Sequence, residues 1–211
     1  MADPVYTLGV ELAVGSLTQL QSHCTRASWS RTIADAFTPL STDEGLFELT
    51  NDVGSFSPLL NANLLIGRRV QLTATYGGSS YNLYAGRVKR FQTKPVLGQR
   101  STVIEAISDV DRLQKRSIDT GVFVAYNAAS LFTEIMSRSA VQSFASDVMN
   151  DSVDFAWYHD MNAANALERL IQSGYYQFFP DGAGTMKLKS RYFATFATSV
   201  DTVDAQAQDM N

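Results

Sequence analysis

Two pairs of adjacent side chains are the first places in this sequence where chemistry could occur, His23-Cys24 and His159-Asp160. A catalytic thiolate needs a base within hydrogen-bonding reach, but neighbouring residues of an extended segment point to opposite faces. A metal site needs three or four converging ligands, and the chain has only two histidines and one cysteine. We therefore predict a structural Cys24, a helix-capping Asp160, and neither a catalytic residue nor a metal site.

A glycine-rich segment, Asp181-Gly182-Ala183-Gly184, superficially resembles a phosphate or calcium loop. A phosphate loop needs a helix after its glycines, whereas the pattern after Gly184 predicts a strand. A calcium loop ends on a bidentate glutamate, which is missing here. The segment is predicted to be a hairpin turn, and the sequence indicates no cofactor and no enzyme.

Five cations form the one basic cluster, and they are Arg87, Lys89, Arg90, Lys94 and Arg100. Strand alternation places Arg87 and Lys89 on one face together with Phe91. A nucleic-acid groove needs more positive charge and regularly spaced stacking aromatics, and the net charge of the chain is −4. Three interpretations stay open: a salt-bridged subunit interface, a solvated face and a nucleic-acid groove. We take the subunit interface as the hypothesis for these five residues.

The elements that position this cluster are strands. Residues 69–76 and 81–88 alternate apolar and polar side chains around Gly77-Gly78-Ser79-Ser80, which predicts a β-hairpin. Further strands are predicted over 5–14, 27–36 and 100–108, and no helix before residue 110. Such a domain must close into a barrel or stack as a sandwich to protect its edges.

The rest of the chain mixes helices and strands. Helices are predicted over 128–139, capped by Asn127, and over 161–173, capped by Asp160 and ended by Gly174. Residues 175–179 (YYQFF) and 185–192 then form a hairpin. The predicted fold class is thus mainly β with a smaller α+β part: a barrel or sandwich domain followed by a mixed α/β domain.

Charge and composition change along the chain. Residues 1–120 carry a net charge of +1 and residues 121–211 a net charge of −5. We place a domain boundary near residue 120, with a β-barrel domain at 1–120, a small α+β domain at 121–193 and an acidic arm or linker at 194–211. A hydrophobic content of 45% excludes intrinsic disorder for most of the chain. No run of about 18 apolar residues predicts a membrane span, and the first residues do not have the pattern of a signal peptide.

Taken in order, several segments resemble the tail hub (baseplate hub) proteins of long-tailed bacteriophages. They are 29–31 (WSR), 46–59 (LFELTNDVGSFSPL), 67–78 (GRRVQLTATYGG), 81–88 (YNLYAGRV), 109–113 (DVDRL), 166–170 (ALERL), 181–184 (DGAG) and 189–191 (KSR). Each motif is loose, and their order and spacing over about residues 25–192 carry the resemblance.

The resemblance implies a virion structural protein at the tail tip or baseplate, made in the host bacterial cytoplasm. Its barrel would be related to the tail tube subunit, and its ring would cap or continue the DNA channel and anchor tip proteins. Expected partners are further copies of the chain, as a trimer or hexamer, and tube, distal tail and tip or fibre proteins, with DNA only as passing cargo. Hubs of the family commonly hold two barrels per chain, whereas this sequence shows one. The second barrel then lies on another polypeptide or in a longer hub, or the protein forms a six-membered ring itself.

Two alternatives accompany this interpretation. A tail tube or distal tail protein would use the same barrel. A carbohydrate- or receptor-binding β module would present exposed Trp and Tyr in a groove, whereas Trp29 and Trp157 lie on predicted strands and are expected in the core. A hydrolase using His159 is disfavoured because no carboxylate pair lies at an interpretable spacing.

Overall fold

Seven strands from the first half of the chain form one antiparallel sheet in the computed structural model, which describes residues 3–58, 61–96, 99–147 and 150–190. The strands are β1 (Val5–Ala13), β2 (Ser16–Gln19), β3 (Cys24–Trp29), β4 (Glu44–Thr50), β5 (Arg69–Tyr76), β6 (Ser79–Val96) and β7 (Gln99–Ile107). Their spatial order is β2-β1-β5-β6-β7-β4-β3, so β2 and β3 are the two edges. The mainly β class is confirmed, although hydrogen bonding does not close the sheet into a barrel.

The first hydrophobic core lies on the inner face of this sheet. Val70 and Leu72 of β5 are buried there as their alternation predicts, and each such burial contributes about 2 kcal/mol. The predicted hairpin is confirmed as β5–β6. Its turn has two residues, Gly77 and Gly78, with φ of 58° and 81°, a backbone conformation that glycine adopts without strain. The predicted strand at 27–36 ends at Trp29.

Strand β6 bends at two bulges. Leu83 is an extra residue between the pairs Leu72↔Tyr84 and Thr73↔Asn82. Its free carbonyl accepts a hydrogen bond from the Arg31 guanidinium at 2.6 Å, which gives the Arg of the WSR segment a structural role. Lys89 is an extra residue on the β7 side of the strand. Bulges increase local bending and twist, and two of them curve the sheet around its core.

A buried amide organises the loop after β4. The Asn51 side chain donates to Ser57 Oγ at 3.0 Å and to Thr102 Oγ1 at 2.9 Å, and it accepts from the Phe56 N–H at 2.8 Å. The Thr102 hydroxyl in turn donates to the Phe56 carbonyl at 3.0 Å. These bonds hold the Phe56 ring in the first core, so the loop covers one end of the sheet.

The second half of the described chain supplies three helices and three small sheets. The helices are α1 (Val110–Lys115), α2 (Ala128–Arg138) and α3 (Ala163–Gly174). The strands are β8 (Ser117–Ile118), β9 (Phe123–Asn127), β10 (Phe144–Ser146), β11 (Ser152–Ala156), β12 (Met161–Asn162), β13 (Gln177–Pro180) and β14 (Met186–Lys189). They pair as β10-β14-β13, β11-β9 and β12-β8, and β13–β14 is the predicted hairpin.

The helix ends test the predicted caps. Asn127 caps α2 as predicted, accepting from the Ser130 N–H at 3.1 Å. Asp160 does not cap α3; the cap is Asn162, whose Oδ1 accepts from the Ala164 N–H at 2.8 Å. Asp160 lies two residues too early and accepts from Ser117 Oγ instead. The helix ends at Gly174, and the residue that adopts the left-handed conformation at its end is Tyr175 rather than the predicted Gly174.

The second core draws on both halves of the sequence. Leu131, Phe132, Leu167 and Phe178 lie at its centre, and residues 110–118 and two side chains from the β3–β4 connection, Ala34 and Leu40, pack with them. The domain boundary near residue 120 stays a prediction. The predicted arm at 194–211 and the end of the predicted domain, 191–193, lie outside the described residues.

The two cores meet where the DGAG turn contacts β6. A Cβ on Gly182 would lie 1.7 Å from the Asn82 carbonyl oxygen, so only glycine fits against this backbone. Ala34 and Phe178 exchange two backbone hydrogen bonds of 2.8 Å. Arg87 of β6 pairs with Asp109, directly before α1, at 2.7 Å. The predicted turn is therefore also a packing contact between the second half of the chain and strand β6 of the seven-stranded sheet.

A buried carboxyl fixes the start of β4. Asp43 is 3% exposed, and its Oδ1 accepts from the Thr32 N–H at 2.7 Å. Its own N–H donates to Ser108 Oγ at 3.2 Å. Burial raises the pKa of Asp43 to about 6, against the effect of the Thr32 hydrogen bond and of Arg31. Burial also raises the pKa of Tyr84, whose hydroxyl has no hydrogen-bond partner among the described residues.

Replacing Asn51 with alanine is expected to destabilise the fold by about 3 kcal/mol, because several buried polar groups lose their partners together. Urea unfolding of Asn51→Ala measures the loss. The matched control is Asn63→Ala, at an exposed position after the same loop, and it should change stability by less than about 0.5 kcal/mol. Equal effects at the two positions would contradict a structural role for the Asn51 network.

The raised pKa of Asp43 predicts a pH-dependent stability term. Between about 3.8, the ordinary value, and about 6 the folded protein binds this proton more tightly than the unfolded chain. The stability that this bound proton contributes is therefore complete below about pH 3.8 and is lost as the pH rises through about 6. Asp43→Asn should exceed the wild type in stability at pH 8 by on the order of 2 kcal/mol, with a smaller difference at pH 4.

Urea unfolding of Asp43→Asn at both pH values measures this difference. Asp52→Asn, which removes an exposed carboxylate, sets the baseline. An Asp43→Asn effect that does not vary with pH would refute the assignment.

Candidate functional site

The five predicted interface cations lie along the β6–β7 hairpin, and three of them meet acids of their own chain. Arg87 Nε contacts Asp109 Oδ1 at 2.7 Å. The Arg90 guanidinium donates to the Glu105 carboxylate, a contact that raises the pKa of Arg90. Lys89 Nζ lies 3.8 Å from Glu44 Oε1, with both side chains more than half exposed. The positive charges of Arg87, Lys89 and Arg90 are thus largely neutralised by acids of the same chain.

Lys94 and Arg100 differ from the other three cations. Both are exposed near the tip of the β6–β7 hairpin, close across the pair Lys94↔Ser101. Neither forms an ion pair within the described residues. Beyond Arg87, β6 has no further pairing with β5, so this part of the hairpin extends past its neighbour. Lys94 and Arg100 are therefore exposed cations that no acid of the described residues neutralises.

The Lys89 bulge overturns the predicted grouping of Lys89 with Phe91. The pairs Val88↔Ala106 and Arg90↔Glu105 leave Lys89 as the extra residue. Alternation shifts by one residue after it, so Lys89 and Arg90 are both exposed whereas Phe91 packs against the first core. Sequence periodicity cannot reveal such a shift, because a bulge has no distinctive side chain.

The thiol and histidine of the first pair have structural surroundings. The Cys24 thiol donates to the Arg26 carbonyl at 3.5 Å, and burial raises its pKa, which lowers the fraction of reactive thiolate. The His23 ring packs edge-on against Phe56 with centroids 5.1 Å apart. Cys24 is thus in surroundings that favour the unreactive thiol.

His159 lies on the surface. Its Nδ1 is 3.0 Å from Asp119 Oδ1, and its ring stacks on Trp157 at 5.8 Å with an interplanar angle of 16°. No group of three His, Cys, Asp or Glu side chains suited to a metal ion occurs among the described residues. In the same part of the chain, no helix is long and apolar enough to cross a membrane.

Both tryptophans contradict the prediction that they are core residues. Trp29 is 41% exposed and Trp157 is 53% exposed. Trp29 lies on the edge strand β3, where it lines a groove of about 370 Å³ together with Tyr6 of β1. The segments around Trp29 and Trp157 are apolar enough to be predicted as strands, but a tryptophan on an edge strand has no sheet or helix over it.

A second, polar groove lies beside Arg87. The buried Asp43 lines neither of the two grooves.

A second exposed surface is not predicted from the sequence. Four large apolar side chains, Val122, Val124, Phe155 and Trp157, are 58%, 69%, 62% and 53% exposed. They lie on or directly beside the two-stranded sheet β9–β11, with Val124 opposite Phe155. The spacing of Phe155, Trp157 and His159 was the available signal, but it does not distinguish a buried face from an exposed one. We call these four residues the β9–β11 patch.

Comparison with known proteins gives structures but no sequence relatives. No family model matches the chain, and no curated protein matches its sequence. Among solved structures, the 43 kDa tail protein of prophage MuSo2 from Shewanella oneidensis has a TM-score of 0.59 at 12% identity, covering 87% of this chain and 53% of that one. A tail protein from Neisseria meningitidis MC58 has a TM-score of 0.57 at 13% identity, covering 87% and 50%.

A third structure, prophage tail protein gp18 from Listeria monocytogenes EGD-e, has a TM-score of 0.55 at 12% identity, covering 89% of this chain and 51% of that one. The chain spans about half the length of each of these proteins. Identities this low establish the fold and leave function open. The chain has the fold of these tail proteins, in agreement with the resemblance in its sequence.

Proposed function

We propose that this chain is a structural component of a phage or prophage tail, located in the hub or baseplate at the distal end of the tube. The observation that carries the proposal is the fold, which three tail proteins, two of them from prophages, share over 87–89% of this chain. The ordered motifs from residue 29 to residue 191 support the hub in particular. The role is to hold other proteins in place, and no catalysis is proposed.

The proposed assembly is a ring of identical chains, a trimer or a hexamer, that continues the DNA channel and anchors tube, distal tail and tip proteins. A closed ring needs two different complementary surfaces on each chain. Lys94 and Arg100, which form no ion pair among the described residues, support such a contact. The proposed division at residue 120 would place these cations in the sheet domain and the acidic excess in the other domain.

The channel itself is proposed to have neutral or acidic walls, so that passing DNA is not retained by ion pairs with its phosphates. The intrachain pairs of Arg87 and Arg90 are consistent with this, because they reduce the free positive charge of the hairpin. Under this proposal Lys94 and Arg100 contact a protein neighbour rather than the lumen.

A carbohydrate- or receptor-binding module is the second candidate, and the exposed aromatic surface of Trp157 and His159 favours it. Stacked, exposed rings of this kind offer a flat apolar face to a sugar. Binding to a glycan array that is lost on Trp157→Ala would support this candidate. The result of the glycan experiment does not depend on whether the chain forms a ring.

Native mass measured over a concentration series tests the ring. We expect a species of three or six chains that becomes dominant as concentration increases, and mass photometry or light scattering measures it. A monomer at every concentration would contradict the homo-oligomeric ring.

The tail role has its own test, which does not depend on self-association. Tail particles purified from the strain that encodes the chain should contain it at a fixed low ratio to the tube protein, measured by quantitative mass spectrometry. Its absence from intact particles would refute the tail role, whereas a copy number close to that of the tube protein would favour a tube subunit over a hub.

A further inference from the structure

The seven-stranded sheet has an opening between strand β1 and the edge strand β3. The groove of about 370 Å³ that Trp29 and Tyr6 line lies at this opening, and Leu8 of β1 and Ala27 of β3 line it as well. Leu72 of β5, a residue of the first core, is also part of its lining. We call this opening the β1–β3 groove. It extends from the surface to the first core at the place where hydrogen bonding does not close the sheet.

The β3 side of the groove carries backbone groups that no described strand pairs. The Ser30 N–H donates to the Glu44 carbonyl at 2.9 Å, and the residues that bond to one neighbour alternate along an antiparallel strand. Ser28 therefore bonds to β4 in the same way, whereas the N–H and C=O groups of Ala27 and Trp29 point away from β4. Because β4 is the one described neighbour of β3 in the sheet, these groups form an open strand edge.

The first half of β1 has a second open edge. Strand β2 pairs with β1 only from Gly9 to Ala13, and beyond that pairing the Leu20 N–H donates to the Leu8 carbonyl at 2.7 Å. The N–H and C=O of Tyr6, two residues before Leu8, point to the same side by alternation. No described strand lies opposite Tyr6 on that side. Two open strand edges therefore border one groove.

An extended segment is the kind of partner that satisfies both edges. Open N–H and C=O groups on a strand edge are a template for an added strand, and strand addition is a recurring mode of peptide recognition. Five antiparallel pairings separate β1 from β3 around the sheet, so the two strands run in opposite directions. A strand between them would be antiparallel to one and parallel to the other. It would close the sheet into the barrel that the sequence predicts.

The inner side of the groove is apolar. Ala27 pairs with Phe47, and Trp29 pairs with Gly45, and residues directly opposite each other on paired strands share a face of the sheet. Phe47 belongs to the first core, so Ala27 and Trp29 lie on the core face. Tyr6 is on the same face by its alternation with the buried Leu8. Every second side chain of an added strand would therefore meet apolar and aromatic surface.

The outer side of the groove carries a positive charge. Arg26 has the one charged side chain among the described residues that line the groove. It forms no ion pair in the described part of the chain, because its cross-strand neighbour Glu48 accepts from Ser101 Oγ at 2.9 Å instead. Opposite charges on neighbouring strands stabilise their pairing. The complementary strand thus has apolar side chains on one face and an Asp or Glu on the other.

We propose that the β1–β3 groove binds an extended segment of another tail protein, with alternating apolar and acidic side chains, as an added strand. The backbone of the segment pairs with Tyr6 on one side and with Ala27 and Trp29 on the other. Its apolar side chains point to the first core, and its carboxylate contacts Arg26. The source of the segment rests on the proposed tail role, whereas the site itself follows from the open edges of this chain.

Selection of peptides on the full chain tests the charge preference. A displayed library of random peptides, each about ten residues long and so about as long as a strand, is enriched on the immobilised protein. The selected peptides should alternate apolar and polar residues and carry Asp or Glu at one fixed position. On Arg26→Glu the same position should select Lys or Arg. Arg116→Glu is the matched control, since Arg116 is exposed and lies outside the groove, and it should keep the acidic preference.

Removal of one backbone donor tests strand addition itself. Ala27→Pro deletes an N–H that faces the groove and does not bond to β4, and edge strands accept proline at such positions. The variant should bind a selected peptide at least about tenfold more weakly, equivalent to about 1.4 kcal/mol. Ala27→Val, which keeps the N–H, is the control and should bind within about threefold of the wild type, equivalent to about 0.7 kcal/mol. If Ala27→Pro fails to fold in urea unfolding, N-methylation of the central peptide residues removes donors from the other partner and should weaken binding equally.

The single cysteine of the chain gives an independent measurement of occupancy. Cys24 lines the groove, so a bound peptide should slow its alkylation by iodoacetamide in proportion to the fraction of protein occupied. An alkylation rate that is unchanged at saturating peptide would contradict binding in the groove.

The outcomes separate this inference from the proposed tail role. If tail particles contain the chain but the library yields no binding peptide, the tail role stands and the groove proposal is wrong. The proposal is equally wrong if Arg26→Glu keeps the acidic preference or if Ala27→Pro binds as tightly as Ala27→Val. Loss of self-association on Ala27→Pro without any selected peptide would overturn the proposal in favour of a second copy as the occupant. Selected peptides for a chain that is absent from tail particles would overturn the tail source of the segment.

Discussion

Strand β6 carries the backbone pairing on which most of the structure depends. It pairs with β5 along one edge and with β7 along the other, and β1 and β4 attach to those two strands in turn. The bulges at Leu83 and Lys89 bend this central strand, and curvature at the centre of a sheet is transmitted to every strand beside it. Without that bend, one open sheet could not surround Phe47 and Ile104 so completely that they are 0% and 1% exposed.

The second core is attached to the same strand. Gly182 packs against the Asn82 backbone, the Arg87–Asp109 pair joins β6 to the start of α1, and Ala34 brings the β3–β4 connection onto β13. These contacts are a backbone approach, a partly buried ion pair and a two-residue bridge, rather than a broad apolar interface.

Surface chemistry divides the molecule in a different way from the cores. Ion pairs within the chain involve the three cations toward the base of the β6–β7 hairpin, whereas Lys94 and Arg100 form none among the described residues. The β9–β11 patch is a different kind of surface, because its four apolar side chains are each more than half exposed. Both surfaces depend on where the fold places these residues and not on the composition of the chain.

Much of the local structure was determined by the sequence itself. Strand alternation over 69–76, the glycine pair at 77–78 and the Asn127 cap each depend on residues within a few positions of one another, and the structure has all three. The resemblance of the ordered motifs agreed with the fold of solved tail proteins. The five predicted interface cations lie on the β6–β7 hairpin, and their role in an interface stays a prediction. Which of them are free could not be predicted, because Asp109, Glu105 and Glu44 approach them from other parts of the chain.

Tertiary structure decided the rest for one physical reason: exposure depends on what packs over a residue, and the packing partner is distant in sequence. Trp29 and Trp157 have strand-like neighbours and are 41% and 53% exposed, because no described helix or sheet packs over them. Phe91 faces the core rather than Lys89's side because an extra residue shifts the alternation of β6. Asp160 resembles a cap, but the helix starts later and Asn162 has the right position. The sequence by itself thus determined the elements and their class, and the three-dimensional packing decided which of their faces are available to a partner.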